Sequence, residues 1–258
     1  MKVKIYIQGL QKLLPHSWLE QFQYIHCSLL CQWIFLCGSQ PLQFNQKSAM
    51  VFSPHQDDET FGCGGMIAHK REQGIPVVVV FLTDGQGSGG SDTKNTIVQI
   101  RKQEALEALA ILGVKASEIH FLDKPDGTLQ DLNNDEQQEI ISRVAQLIQY
   151  YQPEEIYVPH RKDCHRDHEA TYELVKVAMA ANNTRVELLQ YPIWLFWRAP
   201  LFILLKLQDL AAAYCFSITL VQEKKNRAIA SYRSQIKSLP RGFMKRFLGS
   251  YEIFFKVE

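Results

Sequence analysis

Several features are scarce or missing in this 258-residue chain, and each narrows its chemistry. Its six cysteines, at positions 27, 31, 37, 63, 164 and 215, are irregularly spaced and include no Cys-x-x-Cys pair. That argues against a disulfide scaffold and the cysteine-rich zinc modules, and for buried thiols in a reducing cytoplasmic setting. No apolar run is long enough to cross a bilayer: Leu29 to Cys37 is short and contains Gln32, and Ile193 to Leu207 is broken by Arg198, Pro200 and Lys206. The basic start Met1-Lys2-Val3-Lys4 leads into a polar stretch, so no secretory leader is expected. A net charge of only +1 leaves no global case for nucleic-acid binding. Internal repeats and low-complexity segments are absent as well.

What is present is an ordinary folded composition, 46% apolar and 21% charged. Residues 1–46 read as an N-terminal helical addition and 47–258 as the main domain. From Ala49 the chain alternates strand and helix patterns. Ala49-Met50-Val51-Phe52-Ser53 and Val77-Val78-Val79-Val80-Phe81-Leu82 are short and apolar throughout, the mark of doubly buried parallel strands. Ile119 to Leu122 and Glu155 to Pro159 are two further strands. Between them lie helical patterns over Glu59 to Gln73, Thr96 to Leu112 and Glu136 to Tyr151, and another follows over His168 to Ala181. This order predicts an α/β fold: an open, mostly parallel sheet flanked by helices, with N- and C-terminal additions.

Two clusters fall just past strand ends, where such sheets build their sites. The first is Pro54-His55-Gln56-Asp57-Asp58-Glu59, and the second is Cys164-His165-Arg166-Asp167-His168-Glu169. Acids packed this closely repel unless a cation or proton offsets them, and the neighbouring histidines make a divalent metal the natural counter-charge. Cys164 stands beside the second cluster but reads as a buried thiol. Asp167 also suits the N-cap of the helix that follows. Two histidines and one carboxylate also compose the facial triad of non-haem iron enzymes, but those sites favour all-β barrels over alternating β and α. A non-catalytic binding or scaffold protein of the same fold would be expected to lack one of these groups.

With Leu82-Thr83-Asp84-Gly85, Arg101-x-x-Glu104, Asp126-Gly127 and Tyr232-Arg233-Ser234-Gln235, these clusters resemble the PIG-L/LmbE-like N-acetylglucosamine deacetylases. The resemblance runs in register from Ser48 to Ala181, with Gln56 where the family usually has proline. It implies a Rossmann-like fold and metal-dependent hydrolysis of an N-acetyl group on an amino sugar, with Zn2+ as the expected ion and Fe2+ as an alternative. Carried over by position, His55, Asp58 and His168 would hold the metal and Asp57 would be the general base. His165 would stabilise the oxyanion, Asp167 would support an imidazole, and Arg101 and Asp126 would contact sugar hydroxyls.

The implied partner is a small-molecule or lipid-linked amino sugar. The greasy runs Ile193 to Trp197 and Leu201 to Leu205, and eight Lys or Arg without an acid from Lys224 to Arg246, suit peripheral contact with the inner face of a membrane. The same runs also suit a core or a homo-oligomer interface.

Overall fold

The computed structural model describes residues 15–88, 94–181 and 186–256. Helix α1 (His16–Trp33) ends in a π-helical turn and leads to the two-residue strand β1 (Gln40–Pro41). There follow β2 (Ala49–Ser53), α2 (Asp58–Glu72), β3 (Val77–Thr83), α3 (Lys94–Leu112), β4 (Ile119–Lys124), α4 (Asn134–Tyr151), β5 (Glu155–Pro159) and α5 (Arg166–Ala181). The C-terminal part adds β6 (Glu187–Tyr191), α6 (Leu195–Arg198), α7 (Leu207–Ala211), β7 (Ala213–Ser217), α8 (Gln222–Ile229), α9 (Arg233–Ile236), α10 (Arg241–Phe247) and β8 (Tyr251–Lys256).

The strands form one eight-stranded sheet in the order β1-β7-β8-β6-β5-β2-β3-β4. All pairs are parallel except those of β8, which runs antiparallel between β6 and β7. β2 is the switch point: the chain moves outward from it through β3 and β4, then returns to pair β5 on its other side. The loops after β2 and β5 therefore flank one crevice at the carboxyl edge.

Alternation along the buried strands feeds two cores. Val51, Val79 and Phe81 pack with α2, α3 and the C-terminal helices. Met50, Phe52, Val78 and Val80 pack with α4 and α5 on the other face. Such doubly covered strands need apolar residues at every position, which explains the unbroken runs in β2 and β3. The N-terminal segment joins the same sheet through β1, and Cys27, Leu30 and Ile34 enter the first core. Of the greasy run expected at a membrane surface, Ile193, Leu195, Phe196, Trp197 and Leu205 are core residues.

Part of the basic run is also tied down within the molecule, whereas Arg227, Arg233, Lys237, Arg241 and Lys245 are exposed. The Lys225 ammonium is buried 2.7 Å from Glu252 and donates to the Phe61 carbonyl, while Lys224 meets Glu72 and Arg233 meets Glu107. Glu252 also accepts the Gly65 and Met66 N–H groups, so it ties β8 to α2.

α2 approaches the sheet unusually closely. A Cβ at Gly62 would stand 2.3 Å from the Tyr191 ring, and one at Gly65 would stand 2.3 Å from Ile218. Tyr191 has no room to yield, because it is fully buried and its hydroxyl donates to the Phe52 carbonyl. Gly62→Ala is therefore expected to cost about 1–3 kcal/mol in urea unfolding. Gly249→Ala, whose methyl would meet nothing closer than 3.8 Å, should change stability by less than about 0.5 kcal/mol. Equal stability of the two variants would contradict this packing.

Candidate active site

Four loops meet at the carboxyl edge of the sheet. Pro54 to Asp57 follow β2, Asp84 to Ser88 follow β3, Pro125 to Leu129 follow β4, and His160 to His165 follow β5. The first loop is clamped from three sides. Thr83 donates its N–H and hydroxyl to the Pro54 carbonyl, and Gln56 donates its side-chain amide to the Thr83 carbonyl at 2.7 Å. Gln56 is thus a buried tie between loops and not a neutral replacement for proline. Arg101 donates to the carbonyls of Gln56 (2.7 Å) and Gly85 (3.1 Å). Held this way, Asp57 sits at φ +138°, a backbone conformation that L-residues rarely adopt. Its N–H donates to Glu59.

This geometry separates the two adjacent acids. The Asp57 carboxylate lies 3.4 Å from the Arg101 guanidinium. Asp58, the first residue of α2, points elsewhere: its Oδ2 lies 3.0 Å from His55 Nδ1 and 3.2 Å from His168 Nε2. Nitrogens of His55, His165 and His168 all lie within 4.8 Å of one another. Distance alone therefore admits His165 as a further donor. His55 Nε2 faces Asp126 and Asp167, each at 3.2 Å.

Asp167 is fully buried and acts across the site, not as a helix cap. Its oxygens accept the N–H groups of Gly127 (2.7 Å) and Leu129 (3.1 Å) and hold His55. Asp126 is shared between His55 and the Gly87 N–H. Arg101 is buried rather than solvated, and with Asp126 it borders a cleft of about 250 Å³. Phe61, Trp194, Gln235 and Phe243 line the same cleft. Trp194 is sandwiched between Phe243 (4.3 Å) and the Arg198 guanidinium (3.8 Å), so its edge forms the wall. His160 packs on Phe255 instead of the cluster.

Burial and mutual charge set the ionisation of the cluster. Burial, only partly offset by Arg101, pushes Asp57 up to about 8. Burial acts the same way on Asp58, but His168 and His55 outweigh it and hold that carboxylate well below its ordinary range. His168 is pushed up to about 9, because Asp58 and Asp163 overcome the effect of burial. His165, buried beside His168 and His55, falls to about 3 and is neutral at neutral pH. The surrounding acids thus favour the positively charged form of His55 and His168, as they would favour a bound cation.

The residues fit a divalent ion. His168 Nδ1 donates to Asp163 at 2.7 Å, which leaves Nε2 buried and without a hydrogen bond, aimed toward Asp58. An imidazole fixed by a carboxylate on one nitrogen and open on the other is the usual form of a metal-binding histidine.

Sequence reasoning missed Asp163. It is fully buried, fixes His168, and accepts the N–H groups of Ile193, Trp194 and Leu195. The available signal was an acid five residues before a candidate ligand histidine in the same loop. Two other ties join distant motifs: Glu104 accepts the N–H and hydroxyl of Ser234, and Glu59 accepts the Tyr232 hydroxyl. The C-terminal Tyr-Arg-Ser-Gln fragment therefore anchors behind the site.

The fold and site define an α/β protein with a histidine–carboxylate centre at the switch point of its sheet. The family model for GlcNAc-PI de-N-acetylase (PIG-L) matches residues 50–179, half of the chain, and the chain belongs to that family. It is 30% identical over 126 residues to a probable N-acetyl-alpha-D-glucosaminyl L-malate deacetylase 2 of Bacillus cereus, covering 45% of this chain and 56% of that one. The match thus spans little more than half the length of this curated relative. It is also 30% identical over 151 residues to a 4-oxalmesaconate hydratase of Pseudomonas putida, 55% of each chain. The solved N,N'-diacetylchitobiose deacetylase of Pyrococcus horikoshii shares the fold, with a TM-score of 0.62 at 21% identity over 92% of each chain.

If Asp163 fixes the His168 tautomer, Asp163→Asn should weaken divalent-ion affinity by about 10–100-fold, read by chelator competition. Parent-level affinity in that variant would show that His168 needs no such partner.

Proposed function

We propose that this protein is a metal-dependent N-deacetylase acting on an N-acetylglucosamine-type sugar or conjugate. The observation that carries the reading is the separation of Asp57 from Asp58: one carboxylate joins two imidazoles, while its neighbour stays apart beside Arg101 at the cleft. His55, Asp58 and His168 would hold the ion. When bound, a divalent ion supplies Lewis acidity and lowers the pKa of nearby water; Zn2+ and Fe2+ both suit this donor set.

The chain's own residues do the rest. Asp57 accepts a proton from the water that attacks the acetyl carbonyl. Its burial makes it a stronger base than an exposed aspartate, and a nearby cation keeps it from holding its proton too tightly. His165 is neutral, so it serves as an N–H donor to the oxygen where negative charge develops. The proton taken up by Asp57 is then available to the leaving amine as the C–N bond breaks, which gives acetate and a free amino sugar. Asp167 positions His55, and Arg101 positions Asp57. Arg101 and Asp126 at the cleft leave the sugar hydroxyls as their natural partners.

The hydratase relative supports a second reading, in which the same centre adds water across a carbon–carbon double bond. Acetate assays on a panel of N-acetylglucosaminyl compounds, with and without chelator, separate the two. The deacetylase reading expects chelator-sensitive acetate release that falls about 100-fold or more in Asp57→Asn, while metal content is kept. His165→Ala should also keep its metal and lose turnover; loss of metal would make His165 a ligand. Hydration of an unsaturated acid with no acetate from any sugar would favour the second reading.

A further inference from the structure

Among the described residues, one large apolar surface is left open by the packing. α1 faces inward through Cys27 and Leu30, and outward it presents Trp18, Phe22, Ile25 and Leu29, between 46% and 64% exposed. Their spacings of four, three and four residues set them in one straight stripe, and Phe35 and Leu36 in the π-helical turn beyond are exposed as well. The other exposed side chains among those described along the helix, Ser17, Gln21 and Gln32, carry no charge. Between residues 15 and 41 the sole Asp, Glu, Lys or Arg is Glu20, which is half-buried.

A second apolar element joins the stripe. His26, on the flank of α1, accepts the Leu201 N–H and donates to the Phe196 carbonyl, so it ties the 199–206 turn to the helix. The tip of that turn is Phe202 and Ile203, which are 75% and 58% exposed. Phe202 stands at φ +65°, an unfavourable backbone for a bulky residue, and still holds its ring in solvent. The opposite flank is basic. α10 packs against α1, the Lys245 ammonium lies 5.3 Å from the Tyr24 ring, and both Lys245 and Arg241 are exposed.

We infer that this surface docks onto an anionic lipid bilayer, with α1 in the interfacial plane and Phe202 and Ile203 entering the acyl boundary. A charge-free aromatic and aliphatic stripe with a cationic border matches the chemistry of such an interface. A second copy of the chain fits less well. In a two-fold contact the projecting tip would need a recess in the partner, which fluid lipid does not require. α6 and α10, which α1 touches, lie at the cleft wall through Trp194 and Phe243, so docking brings the cleft to the bilayer. The inference rests on exposure and charge, independently of the reaction assigned to the site.

Co-sedimentation of the full-length chain with phosphatidylcholine vesicles, with and without phosphatidylglycerol, tests it. Binding is expected to the phosphatidylglycerol vesicles and to weaken with salt. Phe22→Ser with Leu29→Ser, both outside the core, should reduce it about tenfold or more with an unchanged melting curve. Arg241→Glu with Lys245→Glu should reduce it about tenfold, on anionic vesicles only. Absence of vesicle binding, or parent-level binding by the Phe22/Leu29 variant, overturns the proposal. So does a dimer in light scattering that Phe22→Ser dissociates, because a second copy would then occupy the stripe.

Discussion

Charge compensation among buried acids is the constraint on which this structure depends. Asp57, Asp58, Glu59, Asp163 and Asp167 are all buried at one edge of the sheet. Each carboxylate there needs a partner, since an uncompensated buried charge costs several kcal/mol. The partners found are imidazoles, the Arg101 guanidinium, hydroxyls and backbone N–H groups, and the last of these shape the cleft. Asp163 draws in the start of α6 and so sets Trp194; Asp167 fixes the turn after β4 and so sets Asp126. The groups that make the site reactive also hold its walls, so few of them are replaceable without moving others.

The electrostatics follow from the same crowding. Two histidines are pushed toward the protonated form by the acids around them, while a third, facing those two, is pushed the other way. Groups of one type thus take different roles through position alone. The two adjacent aspartates diverge for a geometric reason. A strained backbone at Asp57, held by Arg101 and the Gln56 tie, turns one side chain to the cleft and leaves the other on α2.

The central fold was legible because doubly buried strands write themselves as unbroken apolar runs. Ala49 to Ser53 and Val77 to Thr83 admit no other reading once helices alternate with them. The C-terminal strands were not legible: Ala213 to Ser217 and Tyr251 to Lys256 lie at the sheet's antiparallel end, where long-range pairing decides and local pattern does not. The clustered positions His55, Asp57, Asp58, His165 and His168 stood out as dense acid and imidazole. Asp163 and the Glu104–Ser234 tie did not, because their partners are backbone groups or residues more than a hundred positions away. Composition misled in one respect. Of the two runs expected at a membrane, Ile193 to Trp197 is core apart from Trp194, whereas Phe202 and Ile203 of the other are exposed, beside a stripe spread at helical spacing along α1 that is less conspicuous in sequence.

The central proposal is that His55, Asp58 and His168 hold a divalent ion, which would displace the protons that the surrounding acids favour on the two imidazoles. Calorimetric titration of metal-free protein with Zn2+ at neutral pH, repeated in buffers of different ionisation enthalpy, measures this directly. The account predicts binding of about one ion per chain with release of protons to the buffer, both lost in His168→Ala. Binding without proton release, or undiminished binding in His168→Ala, would contradict it.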